Sequence, residues 1–468
     1  MGIPDLAFAH HDYPTSDPQA TLFVETARAF CGPTQYMKRV FALLLTAHAA
    51  AAQAAEPLSW HGSIEIAASH GERGPWRMNE SRFDYVDDPS VALDDQGEVA
   101  VVWVDQARKD VFFQRVSAAG VKLGEPVNVS RSPAIFSWLP RVALAPHDSR
   151  KVFVLWQEIV FSGGSHGGDI LFARSEDGGR SFSPPVNLSD SVAGDGKGRI
   201  SRRIWHNGSL DLAAGAGGGV YAAWTEYEGA LWFSRSADGG RSFSAPRRIA
   251  GGGMEAPARA PSLARGPDRA VYLAWTVGED ESADIRVARS ADGGTSFGKP
   301  RIVAPSPGYS DAPKLAVDPR GVLHLMYSES SGGPFEASHI RHTRSTDGAS
   351  SFEPPREISA PGAGFPALSV DATGDLYALW ELFLNPREYP RGLALAVSRD
   401  GGDTFTAPAP VPGSIDPAGG WNGSNQGFLM RKLAVNGGGT VAIVNSSLKP
   451  NERSRVWLMR GSPSESAR

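Results

Sequence analysis

One short phrase recurs five times in this chain, and no other feature constrains the fold as tightly. "RSEDGGRSFSPP" at 174–185 returns as "RSADGGRSFSAP" at 235–246, "RSADGGTSFGKP" at 289–300, "RSTDGASSFEPP" at 344–355 and "VSRDGGDTFTAP" at 397–408. Its aspartates fall at 177, 238, 292, 347 and 400, in steps of 61, 54, 55 and 53 residues. A period of this kind marks a chain made by stacking one supersecondary unit.

Each copy closes a longer unit. Around the third copy the chain reads "APSLARGPDRAVYLAWTVGEDESADIRVARSADGGTSFGKPRIVA". Four short runs rich in β-branched and aromatic residues, separated by Gly, Pro and Asp turns, predict a four-stranded antiparallel meander. Similar units span 140–189, 209–250, 312–359 and 365–411. One from Pro89 lacks the phrase, and a last one, "KLAVNGGGTVAIVNSS…RVWLMRG", has only three strands. The second strands align on Trp103, Trp156, Trp224, Trp275, Tyr327, Trp380 and Asn445, which makes seven units. "SIEIAAS" at 63–69 is the expected fourth strand of the last unit. An isolated four-stranded sheet leaves both faces wet, and radial stacking buries them. The fold class predicted is therefore an all-β propeller of seven blades, closed by an N-terminal strand, with a six-bladed ring as the alternative. The aromatics then pack between blades.

The first 55 residues lie outside that repeat. "MKRVFALLLTAHAAAAQAAEP" starts at Met37 with two basic residues, an apolar run and small residues near Ala54 and Ala55, the anatomy of a secretory signal. The expected organisation is an upstream extension at 1–36, a signal at 37–55, one propeller domain at 56–462 and a tail at 463–468. The protein is then exported to the periplasm or medium. Cys31, the only cysteine, falls in the removed part, so no disulfide or thiolate chemistry is expected. The formal charge of −5 and the absence of a basic run exclude nucleic acid as the natural partner. No membrane span, cofactor motif or metal-ligand spacing is read, and a monomer is expected. "GSHGGD" at 164–169 offers a single His, and "GDGKGR" at 194–199 has no helix behind it to cradle a phosphate.

The spacing Ser-x-Asp-x-Gly-x-Ser/Thr-Phe resembles the Asp-box, or bacterial neuraminidase repeat, of sialidase-like propellers. Four copies match fully, and the copy at Asp347 has Ala349 where Gly is expected. Asp177, Asp238, Asp292, Asp347 and Asp400 are read as structural, because a catalytic group is needed once per site and this carboxylate occurs once per blade. An Asp here can accept from following N–H groups and a nearby hydroxyl.

If the third-to-fourth turns share one face, then the second-to-third loops and the blade crossings share the other. The crossings hold Arg82, Asp84, Asp87, Arg141, Arg202, Arg203, His206, Arg259, Tyr309, Asp311, Lys314, Trp421 and Arg431. The second strands end in Asp105, Glu158, Glu226, Glu329 and Glu381. Guanidinium forks bind carboxylates at two points, which suits an anionic sugar. The substrate-binding candidates are Arg82, Arg141, Arg203, His206, Arg259, Lys314, Trp421 and Arg431. The resemblance implies an arginine triad, a Tyr nucleophile activated by Glu and an Asp acid/base. On that pattern Asp84, Asp87, Glu226, Tyr227 and Tyr309 are the catalytic candidates. The family's Arg-Ile-Pro motif is absent, Arg203-Ile204-Trp205 being the nearest match. Two functions follow as expectations: a sialidase-like glycoside hydrolase acting on acidic glycans, or a non-catalytic propeller that binds a glycan or protein in the same mouth.

Overall fold

Runs such as Val99–Asp105 and Val271–Val277 are apolar at nearly every position, because strands in the middle of a stacked sheet are covered on both faces. A computed structural model describes residues 58–464 apart from 76, 78, 163–164, 190–198, 201–204, 207–208, 227–228, 279–282, 307, 334–335, 386–387, 389, 416–429 and 449–451. The side chains of 159–168, 199–200 and 205–206 are likewise outside the description. Seven antiparallel sheets follow one another in chain order. Their first strands are Val86–Leu93, Ser137–Ala145, Leu210–Ala214, Ala258–Arg265, Tyr309–Val317, Ala363–Val370 and Leu433–Val435, and they number the blades one to seven. The fourth strands are short, often two residues. The exception is Lys122–Asn128 in blade one, which has seven.

The seventh sheet closes the ring as expected. Ile64–Ser69 pairs antiparallel with Ser454–Leu458 in the last strand of the chain. Ser59–Pro463 forms one compact unit. Among the described residues, no helix is long and apolar enough to cross a membrane.

The recurring phrase forms the turn from third to fourth strand. In every copy the first Ser hydroxyl donates to the Asp at 2.7–2.8 Å. The later Ser or Thr hydroxyl donates to the other carboxylate oxygen at 2.5–2.6 Å. These bonds hold the Asp238 carboxyl well below the usual carboxylate range, led by the Ser242 hydroxyl and N–H. Asp347 sits at about 2 through Ser351 and Ser345.

The phrase also fastens one blade to the next. Its Phe lies edge-on against a ring in the third strand of the preceding blade. Phe182 meets Phe113 at 5.3 Å between ring centroids, Phe243 meets Phe172 at 4.8 Å, Phe297 meets Phe233 at 5.0 Å and Phe405 meets His342 at 5.3 Å. The phrase's second Gly lies over the same ring. A Cβ on Gly240 would fall 2.7 Å from Phe172, and one on Gly402 would fall 2.3 Å from His342. The copy that carries Ala349 faces Val287, which occupies the ring's place in blade four. The smaller partner makes room for the methyl.

His342 is stacked on buried His324, with ring nitrogens 3.3 Å apart. Burial pushes His324 down to about 4 against the pull of Asp318. Burial, and then its neighbour His324, pushes His342 down to about 3. Both stay neutral in the fold, whereas the unfolded chain protonates them near pH 6.5. Stability from this pair is complete above that pH and drains away as pH falls toward 4. The urea midpoint should fall between pH 7.5 and pH 4.5, and His342→Phe should remove about half of that acid sensitivity. A variant as acid-sensitive as wild type would exonerate the pair. The phrase aspartates titrate below this window.

Candidate functional site

The first strands present their inner edges to a central channel, and the sequence bends them there in a repeated way. In five blades a non-glycine residue with φ between 51° and 55° precedes a proline: Asp88, Leu139, Ala260, Ala312 and Phe365. The strand register shifts at each of these points. Bulges of this type re-aim the residues beside them. The cost of a positive φ without glycine is offset by bonds to the preceding blade. Ala260 N–H donates to Ser209 Oγ at 3.0 Å, and Phe365 N–H donates to Ser328 Oγ at 2.9 Å.

Two residues past each bulge lies one level of the channel, occupied by Arg141 in blade two, Ser262 in blade four and Lys314 in blade five. Asp211 holds the same register in blade three. Asp211 is the centre of the group. One oxygen accepts Leu263 N–H at 2.8 Å. The other accepts Arg431 Nη2 at 2.9 Å, so blade seven reaches across to blade three. Arg431 is 31% exposed, whereas Arg141 is buried. Burial lowers Arg141 to about 10; Asp211 opposes the shift and Arg431 adds to it. Lys314 lines the channel and keeps some exposure, yet its amine is poorly hydrated. Burial pushes it down to about 8. Asp211 pulls it back, while Arg141 and Arg431 push it further down. Arg141, Lys314 and Arg431 thus act on one another around Asp211, with Asp88 also acting on Arg141 and Asp311 on Lys314. A cavity of about 340 Å³ extends from Asp211, Lys314 and Arg431 toward Arg265, Val317 and Val370 at the far ends of the first strands. Up-and-down strand order places those ends on the face of the phrase turns, so the basic group closes the inner end of a cavity that runs toward that face.

A second cluster, fully buried, joins blades four and five. Arg259 donates to Asp311 Oδ1 at 2.6 Å and to the Tyr309 hydroxyl at 2.7 Å. Tyr309 in turn donates to Asp311 Oδ2 at 2.9 Å, and Thr276 donates to Asp311 at 3.0 Å. Burial and then the Asp311 charge raise the Tyr309 phenol well above its ordinary value, with Arg259 opposing.

The remaining candidates are placed elsewhere. Asp87 is buried and accepts the Ser446 hydroxyl at 2.6 Å, tying blade seven to blade one. Asp84 accepts from Ser69 and meets His70 Nδ1 at 2.8 Å, on a two-stranded piece outside the seven blades. Arg82 beside it is exposed. Glu226 accepts the Trp224 indole N–H at 3.4 Å, and Glu158 accepts that of Trp156 at 3.3 Å. These carboxylates satisfy buried indoles, which gives them a packing role. Tyr227, Arg202, Arg203 and Trp421 lie outside the described residues, and of His206 only the backbone strand is described. The channel therefore brings together Arg141, Lys314 and Arg431. Asp211, which was not among the candidates, is the carboxylate that holds Arg431 there. Blade three lacks the X-Pro dipeptide, and the signal that could have found Asp211 is its offset of 13 residues before Trp224, the same as that of Ser262 before Trp275 and Lys314 before Tyr327.

No protein-family model matches the chain, and no curated protein is similar to it. Solved structures do share its architecture. The polysaccharide lyase Uly1 is 11% identical, with 86% of this chain and 99% of that one covered and a TM-score of 0.53. A PL25 ulvan lyase bound to -[GlcA(1-4)Rha3S]- is 12% identical, with 84% and 95% covered and a TM-score of 0.51. At such identities the likeness establishes the fold.

Proposed function

We propose that this protein is an exported propeller that holds an acidic glycan in the central channel, through Arg431 and Lys314 with Arg141 behind them. One observation carries the reading: Arg431 bonds to Asp211 in the channel, and Arg141 and Lys314 from blades two and five lie close enough to feel both charges. A ligand carboxylate or sulfate would compete with Asp211 for the accessible Arg431, and a charge-assisted bond in a poorly hydrated site is a strong one. The lyase bound to a GlcA-containing oligosaccharide supports the choice of an acidic sugar by analogy of fold. The signal-like stretch at 37–55 supports export.

Sialidase-type hydrolysis, which the resemblance to Asp-box propellers implies, calls for a tyrosine that can lose its proton. Tyr309 is buried between blades four and five and lines no part of the channel cavity, so binding is the reading that its surroundings favour. Calorimetric titration with uronate oligosaccharides, and with their carboxyl-reduced counterparts, tests this directly. Affinity should be confined to the acidic forms and should weaken as salt rises. Equal affinity for the reduced forms would refute an anion site, and turnover of a fluorogenic sialoside would refute simple binding.

A further inference from the structure

In six blades the second strand sets an aromatic ring at the same position, and in blade seven that position is Asn445. Asn445 is 0% exposed, and neither its amide nitrogen nor its amide oxygen has a partner among the described residues. The repeat tells what it faces. Trp380 of blade six packs with Met326 and Ile340 of blade five. Met326 precedes Tyr327, and Ile340 is the strand partner of the residue after it. The matching positions in blade six are Leu379 and Leu393, and Leu393 is the strand partner of Glu381. Asn445 therefore sits against buried leucines beside Glu381. One Glu381 oxygen accepts Lys432 Nζ, and the other has no partner among the described residues. Glu381 and Lys432 are themselves buried.

We propose that the ring opens at the junction between blades six and seven, in local fluctuations that need no global unfolding. Among the described residues the closed junction leaves three buried polar atoms without a partner, and parting the blades rehydrates all three together with the ion pair. The junction also lacks the fastener used elsewhere, because blade seven has no copy of the recurring phrase to dock on blade six. The other junction without a copy, between blades seven and one, is sealed by a shared apolar cluster that includes Trp103, Val444 and Leu458. Opening would carry Arg431, the neighbour of Lys432, away from Asp211.

The test uses hydrogen exchange on the full chain carrying Cys31→Ser. Peptides from 376–398 and 433–447 should exchange at least about tenfold faster than the second and third strands of blades two to four, as a cooperative unit below the global limit. A staple is available on the face of the phrase turns. Ala372 N–H donates to the Gly437 carbonyl at 3.3 Å, and a Cβ at 437 would lie 3.4 Å from that of Ala372, close to disulfide separation. Ala372→Cys with Gly437→Cys, once oxidised, should bring both peptides to the slow rate of blades two to four. Asn445→Leu should slow the same peptides without any new covalent bond. Junction strands as slow as those of blades two to four, or rates that neither variant changes, would overturn the proposal.

Discussion

Gly240→Ala should destabilise the protein by about 3 kcal/mol, the sum of a methyl at positive φ and one forced into a packed ring. The backbone there has φ of 76°, and the new Cβ would lie 2.7 Å from the Phe172 ring, which is buried and has no free side to move into. The chain itself supplies the compensation. Where the fourth copy of the phrase has Ala349, at φ of 69°, the facing residue is Val287. Phe172→Val in the Gly240→Ala background should therefore restore part of the loss, leaving the φ cost and the lost ring contact. A cycle of the two single variants and the double variant, read by urea unfolding, gives the coupling. A coupling near zero would mean that the glycine answers only to its own turn.

Lys432→Met should cost about 3–5 kcal/mol, because it leaves the Glu381 carboxylate buried without its countercharge. Burial already raises Glu381 against the pull of Lys432, so the lone carboxyl would take up a proton in the folded state. The loss should accordingly be smaller at pH 5 than at pH 8, since a raised carboxyl favours the fold at low pH and weakens it as pH rises through the shifted value. Glu381→Leu together with Lys432→Met should recover most of the loss, since paired buried charges are often replaced by apolar groups at little cost. A double variant as unstable as the single one would show that the pair organises the junction between blades six and seven.

The blades were legible because their signals are local. Five copies of one phrase, an aromatic in the second strand 14 to 21 residues before the Asp of each, two further units without the phrase and a strand-like "IEIAAS" left over at the start are sufficient to count seven sheets and close them. The meeting of residues across the channel was not legible in the same way. Arg431 and Asp211 are 220 residues apart, and they meet because two inner strands stop at one height. The other five blades carry a bulge, which shifts a strand's facing residues by one and so changes which side chain looks inward, whereas these two do not. Asp87 and Asp311, each beside such a bulge, and Tyr309 near the second, all read as mouth residues, are buried ties between blades. Glu158 and Glu226 follow a simpler rule. A carboxylate two residues after a tryptophan on one strand points the same way as the indole and takes up its N–H.

The most direct measurement is the affinity of one uronate oligosaccharide for Arg431→Ala and for Arg82→Ala, beside wild type, with unfolding curves to verify that both variants are folded. Arg431 lines the channel against Asp211, whereas Arg82 is an exposed arginine outside the seven blades. The account predicts that Arg431→Ala loses at least about tenfold in affinity, as expected for a charge-assisted bond, and that Arg82→Ala loses none. Equal effects of the two substitutions, or full affinity in a folded Arg431→Ala, would contradict it.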